Sequence, residues 1–241
     1  MKTSKLKKIG ILGGIGPAAS SSLYGKLINL AQDIFGAEQD SDFPPMVINS
    51  IAMVGFDETG FTDPKKVKKQ LIDGVRMLES AGCDFIIIAC NTVHFFINEM
   101  RAVVKIPIVS IIDESVRTAK ASHSKKLGVL SSESTYNLRI YADALEKNGI
   151  TPILATHSQQ EMLNSVILNV MAGIQGKRDT RIIGKIIYSM KRQGAEGIIL
   201  GCTEIPLAIH QDDSALPLFD STHIITEAAL NFAYNKRTMH Y

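Results

Sequence analysis

The chain is short of cysteine, of charge imbalance and of long apolar runs, and each shortage removes a class of protein. Only three cysteines occur in its 241 residues: Cys83, Cys90 and Cys202. Three cannot all pair, and none stands in a C-x-x-C. A disulfide scaffold and a zinc site are therefore excluded, no metal is expected, and reduced thiols in a cytosol are the simplest reading. Charge nearly cancels, with 26 basic against 24 acidic residues and a net charge of +2, so neither nucleic acid nor a membrane surface is an expected partner. No apolar run approaches the roughly 18 residues needed to cross a bilayer. Lys5, Lys7 and Lys8 ahead of an apolar stretch resemble a signal peptide. Gly13-Gly14 and Gly16-Pro17 interrupt what would have to be an unbroken core, so a cytoplasmic protein is expected.

What is present is an ordinary globular composition, 45% hydrophobic and 21% charged, which excludes disorder and fibrous classes. The length suits one large domain or two halves of about 110 residues. Internal similarity favours two halves. Lys8-Ile9-Gly10-Ile11-Leu12-Gly13-Gly14 reads as a buried strand running into a glycine turn, and Leu127-Gly128-Val129-Leu130-Ser131-Ser132 repeats the pattern. Helical patterns follow at 19–35 and 137–148. A second correspondence is closer. The run from Gly82 through Phe85-Ile86-Ile87-Ile88 to Cys90 matches the run from Gly194 through Ile198-Ile199-Leu200 to Cys202. Each Gly ends an amphipathic helix, at 66–80 and 180–192, which is a usual C-cap position. The two cysteines lie 112 residues apart, and Gly10 and Gly128 lie 118 apart. Such similar offsets predict two like-ordered α/β units.

A chemical expectation follows. Ligands of open parallel sheets bind beyond the carboxyl ends of the strands. Cys90 and Cys202 both end strands, at matching places in the repeat. If the halves face each other, the two thiols approach one ligand from opposite sides. Cysteine is also among the most buried residue types, so a lone strand-end thiol is more often structural. A matched pair, each followed by hydrogen-bonding residues, favours function. Cys83 has no counterpart in the second unit, where Ala195 stands, and is read as structural. The glycine loop is not a nucleotide fingerprint: G-x-G-x-x-G spacing is not met and Pro17 follows directly. Lys65, Lys66, Lys68 and Lys69 are read as a solvated helix face, and the polar tail 235–241 as frayed.

Three motifs in order are more specific: Gly13-Gly14-Ile15-Gly16-Pro17, Ala89-Cys90-Asn91-Thr92-Val93-His94, and Gly201-Cys202-Thr203-Glu204-Ile205-Pro206. Together they resemble the signatures of the aspartate/glutamate racemase family over residues 8 to 222. The resemblance implies two similar three-layer α/β domains with parallel sheets, related by a pseudo-twofold, with the active site in the cleft between them. The expected division is 1–115 and 116–207, with the segment from about 208 to 241 returning to the first half. It also implies racemization of an acidic amino acid, aspartate or else glutamate or a related one, by proton transfer between two cysteines without a cofactor, and a homodimer. Cys90 and Cys202 take the places of the family's two catalytic thiols. Asn91, Thr92 and Thr203 match its substrate-facing positions, and Ser132 with Thr135 resembles its hydroxyl pair. Two departures bear on the substrate: residues 49–56 lack the arginine that often grips a side-chain carboxylate, and a family lysine expected near 170–177 has only Gln175 or Lys177 as counterparts.

The chemistry explains the residue types. Racemization removes the α-proton from one face of the carbon and returns one to the other, so two bases are the direct solution. One must be thiolate while the other is thiol, and the pair titrates as a coupled system. A free thiol has a pKa near 8.5 and needs help to ionise at neutral pH. His94 is the nearest such helper in sequence, with a capping or surface role as the alternative. Glu204 either relays protons beside Cys202 or caps the following turn. Asn91, Thr92, Thr135 and Thr203, with the backbone amides of the Gly13-Gly14-Ile15 loop, suit a carboxylate whose charge grows in the transition state. No lysine stands between glycine-rich phosphate-binding elements, so no pyridoxal phosphate, and no cofactor at all, is expected. Rival readings are other reactions on the same scaffold (hydantoin racemization, maleate isomerization, arylmalonate decarboxylation), a non-catalytic carboxylate binder, and a hydrolase using one cysteine with a histidine.

Overall fold

The computed structural model describes residues 6–57 and 59–236, so Lys5 and the tail residues 237–241 lie outside the described residues. Two four-stranded parallel sheets carry the fold. The first comprises β1 (Ile9–Gly13), β2 (Met46–Ser50), β3 (Phe85–Ile88) and β4 (Ile108–Val109), in the order β2-β1-β3-β4. The second comprises β5 (Lys126–Ser131), β6 (Thr151–Leu154), β7 (Gly197–Gly201) and β8 (Leu218–Asp220), in the order β6-β5-β7-β8. The orders are identical, so the repeat read from the sequence is a repeat of topology. Strands β1, β3 and β7 are buried along their whole length, which is why they read as unbroken apolar runs.

Side chains alternate across a strand with a period of two, and the alternation divides two cores. Ile9 and Ile11, Phe85 and Ile87, Leu127 and Val129, and Ile199 all enter one cluster shared by both halves. Leu12, Ile86 and Ile88 point the other way, into a core under α2 (Pro64–Ser80) and α3 (Ile97–Arg101). Leu130, Ile198 and Leu200 do the same under α7 (His157–Met171) and α8 (Lys177–Arg192). The shared core is filled from four helices: α1 (Pro17–Phe35), α4 (Ile111–Ala121), α6 (Ile140–Lys147) and α9 (Ser221–Ala233). These helices form a middle layer between the two sheets.

The helices stop where the sequence signals. Gly82 and Gly194 follow the last residues of α2 and α8 by two places and take positive φ values of 72° and 94°. The helix expected at 137–148 is α6, and a separate short helix, α5 (Glu133–Asn137), precedes it, with Arg139 at φ 52° between them. Ser132 caps α5 through Thr135 N–H while α6 turns into the middle layer. The returning segment is also shorter than expected. β8 still pairs with β7, so only α9, not the chain from 208, crosses to the first half. There Phe232 meets Phe85 edge to face at 4.6 Å, and Ala233 O accepts from Lys7 N–H at 3.1 Å. Asn235 and Lys236, expected to fray, donate their N–H groups to Phe232 O and Asn231 O and close the helix.

Candidate active site

Loops leaving the carboxyl ends of β1, β3, β5 and β7 meet around one cavity of about 160 Å³. That is well below the roughly 300–1,000 Å³ of pockets that hold drug-sized ligands, and suits a small metabolite. From β1 come Gly14, Ile15, Gly16 and Pro17; from β3, Cys90, Asn91 and Thr92; from β5, Ser132; from β7, Cys202, Thr203 and Glu204. Corresponding loops of the two halves thus face the same space. Cys90 and Cys202 both line it, each 7% exposed. They are close enough that charge on Cys90 opposes charge on Cys202.

The two sulfurs have different surroundings. Burial pushes the Cys90 thiol up to about 12, against the backbone amides of Val93 and Thr92 and the Thr92 hydroxyl, which favour the thiolate. Cys202 is raised well above the ordinary thiol value, first by burial and then by the Glu204 carboxylate. Its Sγ–H donates to Glu204 Oε2 at 3.0 Å, and Thr203 Oγ1 donates to the same oxygen at 3.0 Å. Glu204 makes no capping bond to the turn that follows, so of its two expected roles the contact with the thiol is the one realised. Its other oxygen faces Gly16, where a Cβ would sit 2.8 Å away.

Hydroxyls bridge the cleft. Thr92 Oγ1 from the first half lies 2.7 Å from Thr135 Oγ1 and 3.2 Å from Ser132 Oγ of the second. Ser132 Oγ in turn donates to Thr135 Oγ1 at 3.1 Å. Ser132 and Thr92 reach the cavity, whereas Thr135 stands behind them as their partner. Asn91 is held by groups the sequence did not reveal. Tyr141 on α6 donates its hydroxyl to Asn91 Oδ1 at 2.7 Å, and Asn91 Nδ2 donates to Ser221 Oγ at 3.4 Å.

Three expectations change. His94 does not assist either thiol. Its Nδ1 bonds Cys90 O at 2.8 Å and its Nε2 accepts from Ile111 N–H at 3.3 Å, while burial lowers its pKa to about 4. It is a neutral strut that fixes the Cys90 backbone, and no Cys–His hydrolase pair exists there. Lys177 is exposed at the start of α8 and lines a different surface hollow, with Thr180 and His210. The Gly14 N–H is not open to a substrate, because it donates to Ser20 Oγ at 2.9 Å; Gly13 itself is not among the lining residues. Gly14 matters instead for its turn. It sits at φ 84° with the Ile51 backbone where a side chain would go.

The rest of the lining was not anticipated: Met53, Phe56 and Asp57 from the loop after β2, and Ile167 and Met171 from α7. Nothing in spacing marks them, because they reach the cavity from the edge of one sheet and from an outer helix. Among the described lining residues there is no lysine and no arginine. No group of three or more His, Cys, Asp or Glu among the described residues is placed to hold a metal ion.

Comparison with known proteins agrees with this geometry. Residues 12–229 match the family model described as Asp/Glu/hydantoin racemase. The chain is 30% identical over 223 residues to the broad specificity amino-acid racemase RacX of Bacillus subtilis, covering 92% of this chain and 96% of that protein. Among solved structures, PH1733, an aspartate racemase homologue from Pyrococcus horikoshii OT3, superposes with a TM-score of 0.81 at 32% identity, over 95% of this chain and 99% of that one. The aspartate racemase of Picrophilus torridus gives 0.81 at 27% identity over 94% of each chain.

Proposed function

The chain belongs to the Asp/Glu/hydantoin racemase family, and we propose that it is an amino-acid racemase in which Cys90 and Cys202 exchange the α-proton of a small amino acid without a cofactor. One observation carries this reading: two thiols from equivalent strand ends of a repeated fold line one small cavity. For one enantiomer a thiolate takes the Cα proton and the opposite Sγ–H delivers a proton to the other face. For the mirror substrate the same atoms exchange roles, and each turnover leaves the pair with its single proton on the other sulfur.

The surroundings supply what the step needs. Ionising a thiol in this cavity is uphill, since burial raises both. On the Cys90 side the amides of Thr92 and Val93 stabilise the anion. On the Cys202 side Glu204 Oε2 already accepts the Sγ–H and is placed to take the proton. The Thr92 hydroxyl and the Asn91 amide, held by Tyr141, offer donors to the substrate carboxylate, where charge builds as the carbon loses its proton, while the Ser132 and Thr203 hydroxyls donate to Thr135 and Glu204 and serve it only by turning away from them. No lysine lines the cavity among the described residues, so a Schiff base has no amine there. The working setting is a reducing cytosol, in which both thiols stay free, and the active form is a homodimer.

Cysteine-to-serine variants test the scheme. In heavy water the wild-type protein incorporates deuterium at Cα and the optical rotation of its substrate decays. Cys90→Ser and Cys202→Ser each lose racemization by at least about a thousandfold, because each removes one of two acting groups. Full racemization by either single variant would defeat the two-base scheme.

A further inference from the structure

The cavity has a chemical gradient that the racemase reading leaves unused. At its floor lie the buried Cys90, Cys202 and Glu204. Its walls are apolar: Ile15 and Ile167 are buried, Met53 and Phe56 are half-buried, and Met171 is 41% exposed. At the mouth stands Asp57, which lines the cavity yet is exposed to solvent. A substrate held by its α-carbon at the thiols therefore runs its side chain past hydrocarbon and thioether toward a carboxylate.

The position of Asp57 is fixed. Its Oδ1 accepts from Thr59 Oγ1 at 2.6 Å, Thr59 N at 2.9 Å and Gly60 N at 3.2 Å, leaving Oδ2 outside these bonds. Its backbone carbonyl accepts from Ser134 Oγ at 3.3 Å, which ties this lip to the second half. The Thr59 bonds also hold its carboxyl below the usual carboxylate range, so it is an anion throughout the neutral region. Every ionisable group lining the cavity among the described residues is a thiol or a carboxylate. An acidic side chain entering here would meet two carboxylates and no cation. Residues 49–56 also lack an arginine, so nothing on that loop reverses the sign.

We propose that the substrate side chain has a long apolar stem ending in a positive charge, as in lysine, ornithine or arginine, with Met53, Phe56, Ile167 and Met171 along the stem and Asp57 receiving the charge. This rests on the racemase reading and departs from the acidic substrates that the family resemblance implies. Methionine is unbranched and adaptable, so a wall with two of them accepts stems of different length, and neutral relatives such as methionine and norleucine rank below the cations but above the acids.

The test is deuterium incorporation at Cα by the purified full chain in heavy water, with L-lysine, L-ornithine, L-arginine, L-norleucine, L-methionine, L-glutamate and L-aspartate at equal concentration. Lysine is expected to exceed glutamate by at least about tenfold in kcat/KM. In Asp57→Asn the lysine-to-norleucine ratio of kcat/KM is expected to fall about tenfold, through KM. Exchange fastest with glutamate or aspartate overturns the proposed side chain while leaving the racemase standing. An unchanged lysine-to-norleucine ratio in a variant with native circular dichroism overturns the role of Asp57. Exchange with none of the seven overturns the racemase reading and this one with it.

Discussion

At the scale of single residues, the two thiols are chemically unequal although the fold makes them positional equivalents. Cys90 is opposed mainly by burial and more weakly by the charge of Glu204, and is helped by amides; Cys202 is opposed by burial and by Glu204 in direct contact. Alkylating reagents attack the thiolate. Because both folded pKa values are raised, labelling of the free protein is slow at neutral pH and climbs about tenfold per pH unit until the folded value is reached. Glu204→Gln removes the negative charge that holds the proton on Cys202 and the carboxylate able to take it. The Cys202 labelling curve then shifts to lower pH, with Cys90 moving less, while racemization slows because the proton acceptor is gone. Peptide-resolved mass spectrometry reads both curves, and coincident Cys202 curves in the two proteins would remove Glu204 from the mechanism. These partnerships were partly legible in the sequence. Cys90, Cys202 and Glu204 stood out by motif and repeat. The neutrality of His94, the occupied Gly14 N–H and the hold of Tyr141 on Asn91 did not, because each depends on a partner brought close by the fold rather than by spacing.

At the scale of elements, caps separate stability from function. Ser132 caps α5 and also joins the hydroxyl cluster that bridges the cleft. Thr156 caps α7 through Gln159 N–H in a reciprocal capping box, and does not line the cavity. Removing either cap costs about 1 kcal/mol, or roughly 2–4 °C in Tm for a chain of this size. Thr156→Ala is expected to show that loss with kcat/KM retained. Ser132→Ala is expected to show a similar loss with kcat/KM reduced by at least about tenfold. Matching kinetic losses in a calorimeter-and-rate comparison would mean that activity simply follows stability. The elements that were readable from sequence are those buried on both faces. β1, β3, β5 and β7 announce themselves as apolar runs before glycine, serine or cysteine, and Gly82 and Gly194 mark helix ends. The outer strands β2, β4, β6 and β8 are short and half-buried, or pair on one side only, so their sequences carry no comparable pattern. The lip of the cavity hangs from one of them, β2, which is why Met53, Phe56 and Asp57 went unseen.

At the scale of the whole molecule, the two halves are topologically alike but not separable. α9 follows the last strand of the second sheet and packs into the core beneath the first, and the shared cluster draws residues from both sheets. Phe232, 8% exposed, sits against Phe85 with the Lys7 ammonium 3.6 Å above its ring. Phe232→Ala should cost about 3–5 kcal/mol. Because the lost contacts belong to the shared core, urea unfolding should remain one transition displaced to lower denaturant, by far-ultraviolet circular dichroism and calorimetry alike. Two resolved transitions would show halves that fold on their own. The same exchange sets the timing of biogenesis. A ribosome extrudes the first sheet well before α9, the helix that seals its inner face. At about 5–20 residues per second, the oily surface around Ile11, Leu27 and Phe85 waits on the order of 10 s for its lid. During that interval the nascent chain is the form most in need of a chaperone.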